Sequence, residues 1–222
     1  MKNENKFTYR ITYTKDAEVK YISHLDFLRC LTRSLKRAKL PVRYSQGFNP
    51  HIVQNIALPC PVGVESECEM ADVDLVEFIS ADEVAKRLSD AFPRGVRVIS
   101  CKEKTDADPE FSLIGFARYK ICFTSDKDFD PTEFDNSKEF MIEKKSKRGM
   151  KEVNIKDFIA QMHTLSLGEN KYEIDAILCA GGLKNLKTDL LVQAIESFYG
   201  ANLTDVRSKR MEIIYQNVSF AK

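Results

Sequence analysis

The sequence lacks several features that would assign a class of protein at once. It has no tryptophan, no run of about 18 apolar residues and no excess of charge of one sign, with 34 Lys and Arg against 33 Asp and Glu. The opening stretch, MKNENKFTYRITYTK, has no apolar core of a signal peptide, so we expect a cytoplasmic protein that does not associate with membranes. Because the charges balance, any electrostatic recognition must come from a local patch.

Cysteine is present, but not at the spacing of a metal or redox site. No two cysteines lie within the two to four residues that separate zinc-knuckle or CxxC ligands, and the three-cysteine signature of an iron-sulfur cluster is absent. We therefore expect no metal site and no cofactor, and we interpret the cysteines as buried small hydrophobic side chains. They are Cys30, Cys60, Cys68, Cys101, Cys122 and Cys179.

The content of hydrophobic residues, 43% of 222, is sufficient for one large domain or two small ones. In the first half, strands and helices are predicted in the order β-α-β-β-α-β, which is the order of ferredoxin-like domains. The predicted strands cover 6–14, 52–58, 65–78 and 96–102, and the predicted helices cover 24–39 and 81–92. The predicted fold is therefore α+β, with a ferredoxin-like N-terminal domain over 1–105.

A second α+β domain is predicted over 112–222, after a polar stretch at 104–110 that is typical of a linker. Its predicted strands cover 117–124, 140–145, 151–155, 172–179 and 210–216, and its predicted helix covers 187–199. The segment 153–163 allows either a helix or a binding segment. The element order also allows this half to be a distorted ferredoxin-like repeat, although the residues themselves do not repeat.

Charge is distributed most unevenly along and after the first predicted helix. Between Arg29 and Arg43 the sequence contains six basic residues and no acidic one. They are Arg29, Arg33, Lys36, Arg37, Lys39 and Arg43. A patch of this kind can bind phosphate groups, whereas the alternative is a charged helix face that simply contacts water.

The segment that follows, 44–51, combines aromatic rings, amides, a glycine and an imidazole. Its members are Tyr44, Ser45, Gln46, Gly47, Phe48, Asn49, Pro50 and His51. Aromatic rings stack on unpaired bases, Asn and Arg can contact base edges or phosphates, and glycine permits close approach of the backbone. The segment therefore predicts a site for single-stranded RNA, although Gly and Asn-Pro are also ordinary turn residues.

A second basic cluster lies in the second half, at a predicted hairpin tip around Gly149. We include Lys145, Lys147 and Arg148 among the candidate RNA-binding residues because a cationic tip can hold a phosphate backbone. The same composition can also protect an exposed sheet edge from aggregation.

Two histidines, His24 and His51, stand at either end of the basic helix and its loop. As an acid and base pair they would suit a metal-independent RNA-cleaving or RNA-modifying enzyme, with Arg33 and Arg43 on the phosphate. His24 also lies at the predicted helix start and on its apolar side, which favours a capping or core role.

Acidic residues alternate at Glu65, Glu67 and Glu69 in a predicted strand, so we expect them to share one face. That row could bind a metal or a basic partner, or it could be the solvent-exposed side of an amphipathic strand.

Two stretches resemble an uncharacterised bacterial family of radical-SAM-linked proteins. They are YISHLDFLRCLTRSLKRAKLPVRYSQGFNPHIVQNIALPCPVGVESECE, from residue 21 to 69, and KKSKRGMKEVNIKDFI, from 144 to 159. Members of that family occur alone or joined to a radical SAM enzyme, and none of their motif residues has an assigned role. The resemblance implies a radical SAM protein as partner, while the missing cysteine cluster argues against this chain being a radical SAM enzyme itself.

These observations lead to one main hypothesis and two alternatives. The main hypothesis is a binding or accessory subunit that holds transfer or ribosomal RNA on the basic helix and the aromatic loop for a radical SAM partner. The first alternative is the RNA-processing or RNA-modifying enzyme that uses His24 and His51. The second is a protein-interaction subunit that contacts its partner through the acidic strand.

Overall fold

The computed structural model describes residues 6–146, 149–182 and 184–216. The chain divides into two compact units, Met1–Ser112 and Leu113–Lys222. In the part of the chain that the structure describes, no helix is both long and apolar enough to cross a membrane.

Within its described residues, the first unit has four strands and two α-helices. The strands are β1 (Phe7–Lys15), β2 (Gln54–Ile56), β3 (Val64–Leu75) and β4 (Val98–Glu103), and the helices are α1 (His24–Arg37) and α2 (Ala81–Ala91). Every strand pairs antiparallel to its neighbour, in the order β4-β1-β3-β2. This arrangement confirms the α+β class, and the more specific ferredoxin-like name stays a prediction.

The core of the first unit lies between the sheet and the two helices. Alternate β1 residues Tyr9, Ile11 and Tyr13 are buried against apolar side chains such as Leu31 of α1 and Leu88 of α2. Helix α1 starts where the sequence predicts, because the Ser23 hydroxyl accepts a hydrogen bond from the Asp26 N–H at 3.2 Å. It ends before the predicted Lys39, which has a positive φ of 50° that an α-helix does not contain.

The polar stretch predicted as a linker packs on the first unit. The guanidinium of Arg10, only 5% exposed, donates to both carboxylate oxygens of Asp72 at 2.8 Å and to the Pro109 carbonyl at 2.9 Å. It also lies 4.2 Å from the ring centre of Phe111. Because Asp108 pairs with Lys102 and Lys104 pairs with Asp72 at 3.8 Å, the segment is part of the structure of this unit.

The prediction that the three glutamates of β3 share one face is wrong for Glu69. On β1 and β3, Tyr13 pairs with Glu69 and Lys15 pairs with Ser66, so β3 has one extra residue at this point. Such a bulge reverses the face on which later side chains lie. Glu69 is therefore buried, at 2% exposure, whereas Glu67 is exposed.

Where the structure describes it, the second unit contains six strands and two α-helices. They follow the chain as β5 (Ile114–Ser125), α3 (Pro131–Asn136), β6 (Met141–Ser146), β7 (Gly149–Asn154), β8 (Ile159–Gly168), β9 (Lys171–Cys179), α4 (Thr188–Tyr199) and β10 (Leu203–Tyr215). Strands β6 and β7 form a separate hairpin. The other four form an antiparallel sheet in the order β10-β5-β9-β8.

Three elements of this unit differ from the sequence prediction. The segment 153–163 is not helical: it contains the end of β7, a short 3-10 turn at Lys156–Phe158 and the start of β8. Strand β10 begins seven residues before the predicted Arg210. Helix α3 was not predicted, although Asp130 caps it and Pro131 occupies its first turn.

Candidate nucleic-acid interface

The exposed side of α1 has a continuous stripe of side chains. Leu25, Arg29, Arg33 and Lys36 are all exposed, and their spacing of three or four residues places them on one side of the helix. Arg29 forms an exposed ion pair with Asp26 at 3.0 Å. Within the described residues, neither the Arg33 side chain nor the Lys36 side chain forms a hydrogen bond or an ion pair, so both charges are available to a ligand.

The remaining basic residues of this region are placed differently. The Arg37 guanidinium donates to the Ala91 carbonyl at 2.7 and 3.2 Å and to the Ser34 hydroxyl at 3.0 Å, which ties α1 to the end of α2. Lys39 is exposed just beyond the helix. Arg43 is half-buried, and its backbone N–H donates to the Asp74 carbonyl at 2.8 Å.

The predicted recognition loop has a hydrogen-bonded neck. The Ser45 N–H donates to the His51 carbonyl at 2.8 Å, and the His51 N–H donates to the Ser45 hydroxyl at 3.1 Å. The same hydroxyl lies 2.9 Å from Nδ1 of His51, and Tyr44 pairs with Ile52 one step further down. We call residues 44–52 the recognition hairpin and residues 46–50 its tip.

The tip projects into solvent. All five of its residues are exposed, and the ring of Phe48 is fully exposed, at 105% of its reference area. Gly47 has a φ of 126°, and a Cβ placed on it would have no atom within 4 Å. Packing against the described residues therefore does not account for an aromatic ring at this position.

The recognition hairpin is attached to α1. Gln54, three residues after His51, donates from Nε2 to the Thr32 hydroxyl at 2.6 Å, and that hydroxyl donates to the Leu28 carbonyl at 2.9 Å. Thr32 is adjacent to Arg33 in α1. The contact places the base of the hairpin against the middle of the basic helix.

The two candidate catalytic histidines have different surroundings. His24 lines a small cavity with residues that include Lys15, Cys60 and Glu69, and the cavity has room for about one water molecule. His51 is not part of that lining and is held at the neck of the hairpin by Ser45. The described structure thus gives each histidine its own setting and does not join them around one cavity.

The basic cluster of the second half is only partly described. Lys145 lies in β6 and pairs with Met150 of β7, which agrees with the predicted hairpin around Gly149. Lys147 and Arg148 lie outside the described residues.

The cysteines do not form a reactive centre within the described part of the chain. Five are half-buried and only Cys179 is buried, so the prediction of buried side chains was too strong. Burial raises the pKa of the Cys101 thiol to about 12, which keeps it protonated at neutral pH. Among the described residues, no three His, Cys, Asp or Glu side chains are grouped so that they could hold a metal ion.

One exposed aromatic residue, at the other end of α1, was not among the site residues predicted from the sequence. Tyr21 lies before the Ser23 cap, with its side chain 72% exposed, and Leu25 on the first helical turn is 65% exposed. An aromatic residue next to a cap is also typical of packing against a helix start, so exposure could not be predicted from its position alone.

Comparison with known families places the chain in a group of bacterial proteins. The family described as an uncharacterized protein conserved in bacteria, DUF2344, matches residues 8–188. This protein is a member of the DUF2344 family. The matched region includes α1, the recognition hairpin and the β6–β7 hairpin, while no curated protein matches the chain.

Among solved structures, one similar to this DUF2344 protein is described as the crystal structure of an unknown protein from Galdieria sulphuraria. The two share 11% sequence identity, and the alignment covers 95% of this chain and 99% of the other. Its TM-score of 0.27 is too low to support an argument about fold or function.

Proposed function

We propose that this DUF2344 protein is an accessory subunit that binds single-stranded transfer or ribosomal RNA for a radical SAM partner. The RNA would contact α1 and the recognition hairpin. The observation that carries the RNA part is the fully exposed Phe48 ring on a braced hairpin that is attached to a helix with two unpaired cations.

Stacking on Phe48 supplies the first part of the recognition. A base that stacks on an aromatic side chain contributes about 1–3 kcal/mol of binding free energy, and this works for any base because each has a π-face. The amides of Gln46 and Asn49 stand on either side of the ring in the sequence and are exposed. They can donate to and accept from base edges, which are accessible in single strands but not in an A-form duplex.

Phosphate binding by α1 supplies the second part. Arg33 and Lys36 lie one turn apart on the exposed stripe, beside the base of the hairpin. Each phosphate contact to a single strand releases bound counterions and adds about 0.7 to the slope of log affinity against log salt.

RNA binding is tested with fluorescence anisotropy, using labelled single-stranded RNA at two salt concentrations. We expect the double variant Arg33→Glu, Lys36→Glu to weaken binding at least tenfold at low salt and to reduce the salt slope by about 1.4. We expect Phe48→Ala to weaken binding about 5- to 100-fold with little change in the slope.

A matched control makes the same change of charge elsewhere on the chain. Lys86 and Lys138 are exposed, so Lys86→Glu with Lys138→Glu alters the net charge equally without touching α1 or the hairpin. Wild-type affinity in both the Arg33, Lys36 variant and Phe48→Ala would show that the proposal is wrong. Sequencing the RNA that the wild-type protein retains from total small RNA would identify the ligand.

The radical SAM partner is proposed on the resemblance of residues 21–69 and 144–159. We expect a tagged copy, purified from bacterial lysate, to retain a radical SAM protein identified by mass spectrometry. If reciprocal purifications recover neither protein with the other, the partner half of the proposal is removed and the RNA half is unaffected.

A further inference from the structure

We propose that Tyr21 is a second base-stacking position, so that the bound RNA runs as a single strand along the whole of α1, from Tyr21 to the tip of the recognition hairpin. This inference rests on the proposed function and specifies its ligand. An RNA that reaches both aromatic positions must have unpaired bases at both, which a continuous duplex does not offer.

Three hydrogen bonds hold the backbone next to Tyr21. The carbonyl of Lys20 accepts a hydrogen bond from the buried Lys15 ammonium at 2.8 Å and another from the Gly63 N–H at 2.9 Å. One residue later, the Ile22 N–H donates to the Val19 carbonyl at 3.1 Å. Tyr21 is therefore an exposed ring on a rigid turn, and less conformational entropy is lost when a base stacks on it.

The surroundings of Tyr21 suit the stacking of a base. Lys20 places its ammonium 5.4 Å from the centre of the Tyr21 ring, at the range of a cation–π contact, and the same ammonium lies 3.7 Å from a carboxylate oxygen of Glu65. Leu25 and Val62 are also exposed and apolar. Tyr21 is therefore a stacking position, and the unpaired cations for the phosphates come from Arg33 and Lys36 of α1.

The exposed stripe of α1 connects the two aromatic positions. It starts at Leu25, four residues after Tyr21, and continues through Arg29 and Arg33 to Lys36, near the end of the helix. A helix of 14 residues is about 21 Å long. A strand that follows it needs at least about four nucleotides, the lower end of the site sizes of single-strand binding folds.

The test compares RNA oligonucleotides of two and ten nucleotides by fluorescence anisotropy. We expect Tyr21→Ala to weaken binding of the ten-nucleotide RNA about 5- to 100-fold, and Tyr21→Phe, which keeps the ring, to bind within twofold of wild type. Phe78→Ala serves as the control, because it removes another exposed aromatic ring of the first unit that is not on α1 or the hairpin. Phe48→Ala should weaken binding of both RNAs, while Tyr21→Ala should leave the two-nucleotide RNA unaffected.

A second measurement does not depend on the stability of the variants. Ultraviolet crosslinking of the ten-nucleotide RNA to the wild-type protein, followed by mass spectrometry, should place a nucleotide on the peptide that contains Tyr21. If that peptide has no crosslink and Tyr21→Ala binds like wild type while Phe48→Ala does not, this inference is wrong and the proposed function stands. If the wild-type protein binds neither RNA, the proposed function fails together with the inference.

Discussion

At the scale of single residues, the basic side chains of α1 divide into two kinds. Arg33 and Lys36 extend into solvent, whereas their neighbour Arg37 directs its guanidinium at the last carbonyl of α2. The helical period places all three outside the core, so the sequence could predict their exposure. It could not predict the role of Arg37, because the Ala91 carbonyl is 54 residues away along the chain.

The adjacent pair Lys36 and Arg37 therefore separates binding from stability. We expect Arg37→Ala to lower the free energy of unfolding by about 1 kcal/mol, since charge-assisted hydrogen bonds between α1 and α2 are lost at an exposed site. Lys36→Ala should leave stability unchanged and weaken RNA binding at low salt. Urea denaturation measures the stability of both variants, and anisotropy measures their RNA affinity. If Lys36→Ala lowers stability and Arg37→Ala weakens only RNA binding, both assignments are wrong.

At the scale of elements, residues that are close together in the sequence were sufficient to predict α1 and the turn of the recognition hairpin, but not every strand. The Ser23 cap and the apolar period of α1 are encoded in adjacent residues, and so are the turn residues at 46–50. The bulge in β3 was not predictable, because it is set by pairing with β1. In the same way, residues 159–163 could not be assigned from the local pattern, because they form the start of β8 by pairing with β9.

The prediction at the scale of elements concerns the conformation of the recognition hairpin. Gly47 has a φ of 126°, a conformation that residues with a Cβ rarely adopt. Gly47→Ala should therefore change the shape of the tip and weaken RNA binding several-fold. The melting temperature should fall by no more than a few degrees, because the strain is confined to an exposed tip and a Cβ at Gly47 has no atom within 4 Å. Equal affinity for wild type and variant would show that the tip conformation does not contribute to binding.

At the scale of the whole molecule, the two units share a strand order that the sequence only suggested. When the β6–β7 hairpin is set aside, the second unit has the order β-α-β-β-α-β, and its sheet places the fourth strand beside the first, then the third and the second, as in the first unit. The order of elements along the sequence does not show this correspondence, because the β6–β7 hairpin doubles the number of strands between the helices.

Stability should depend on pH because carboxylates in both units accept hydrogen bonds from basic side chains. A hydrogen bond from Lys102, together with the Thr105 N–H, lowers the pKa of Asp108 to about 2, and a hydrogen bond from Arg118 lowers the pKa of Asp175. A carboxyl whose pKa is lower in the folded state stabilises the fold above its unfolded pKa, near 4. That contribution is lost as the pH falls toward the folded pKa.

These groups should therefore leave the midpoint of urea unfolding unchanged from about pH 6 to 5. Between about pH 4 and 2 the midpoint should fall, because the carboxylates become protonated. Asp108→Asn should have a lower midpoint than wild type at pH 6, and the difference should be much smaller at pH 2, where about half of the folded protein has a protonated Asp108. Asp90→Asn, which changes an exposed carboxylate on α2, is the control. A difference that persists undiminished at pH 2 would contradict the role of Asp108.

The packing of residues 104–111 on the first unit also decides where this chain can be divided. A fragment that ends at Glu103 would lose the Pro109 carbonyl and the Phe111 ring that cover Arg10, and it would leave Lys104 behind as well. A fragment that ends after Phe111 keeps these groups. Anyone who expresses the first unit alone, or fuses another protein to it, should place the junction after Phe111, although the sequence suggests that 104–110 is the natural place to cut.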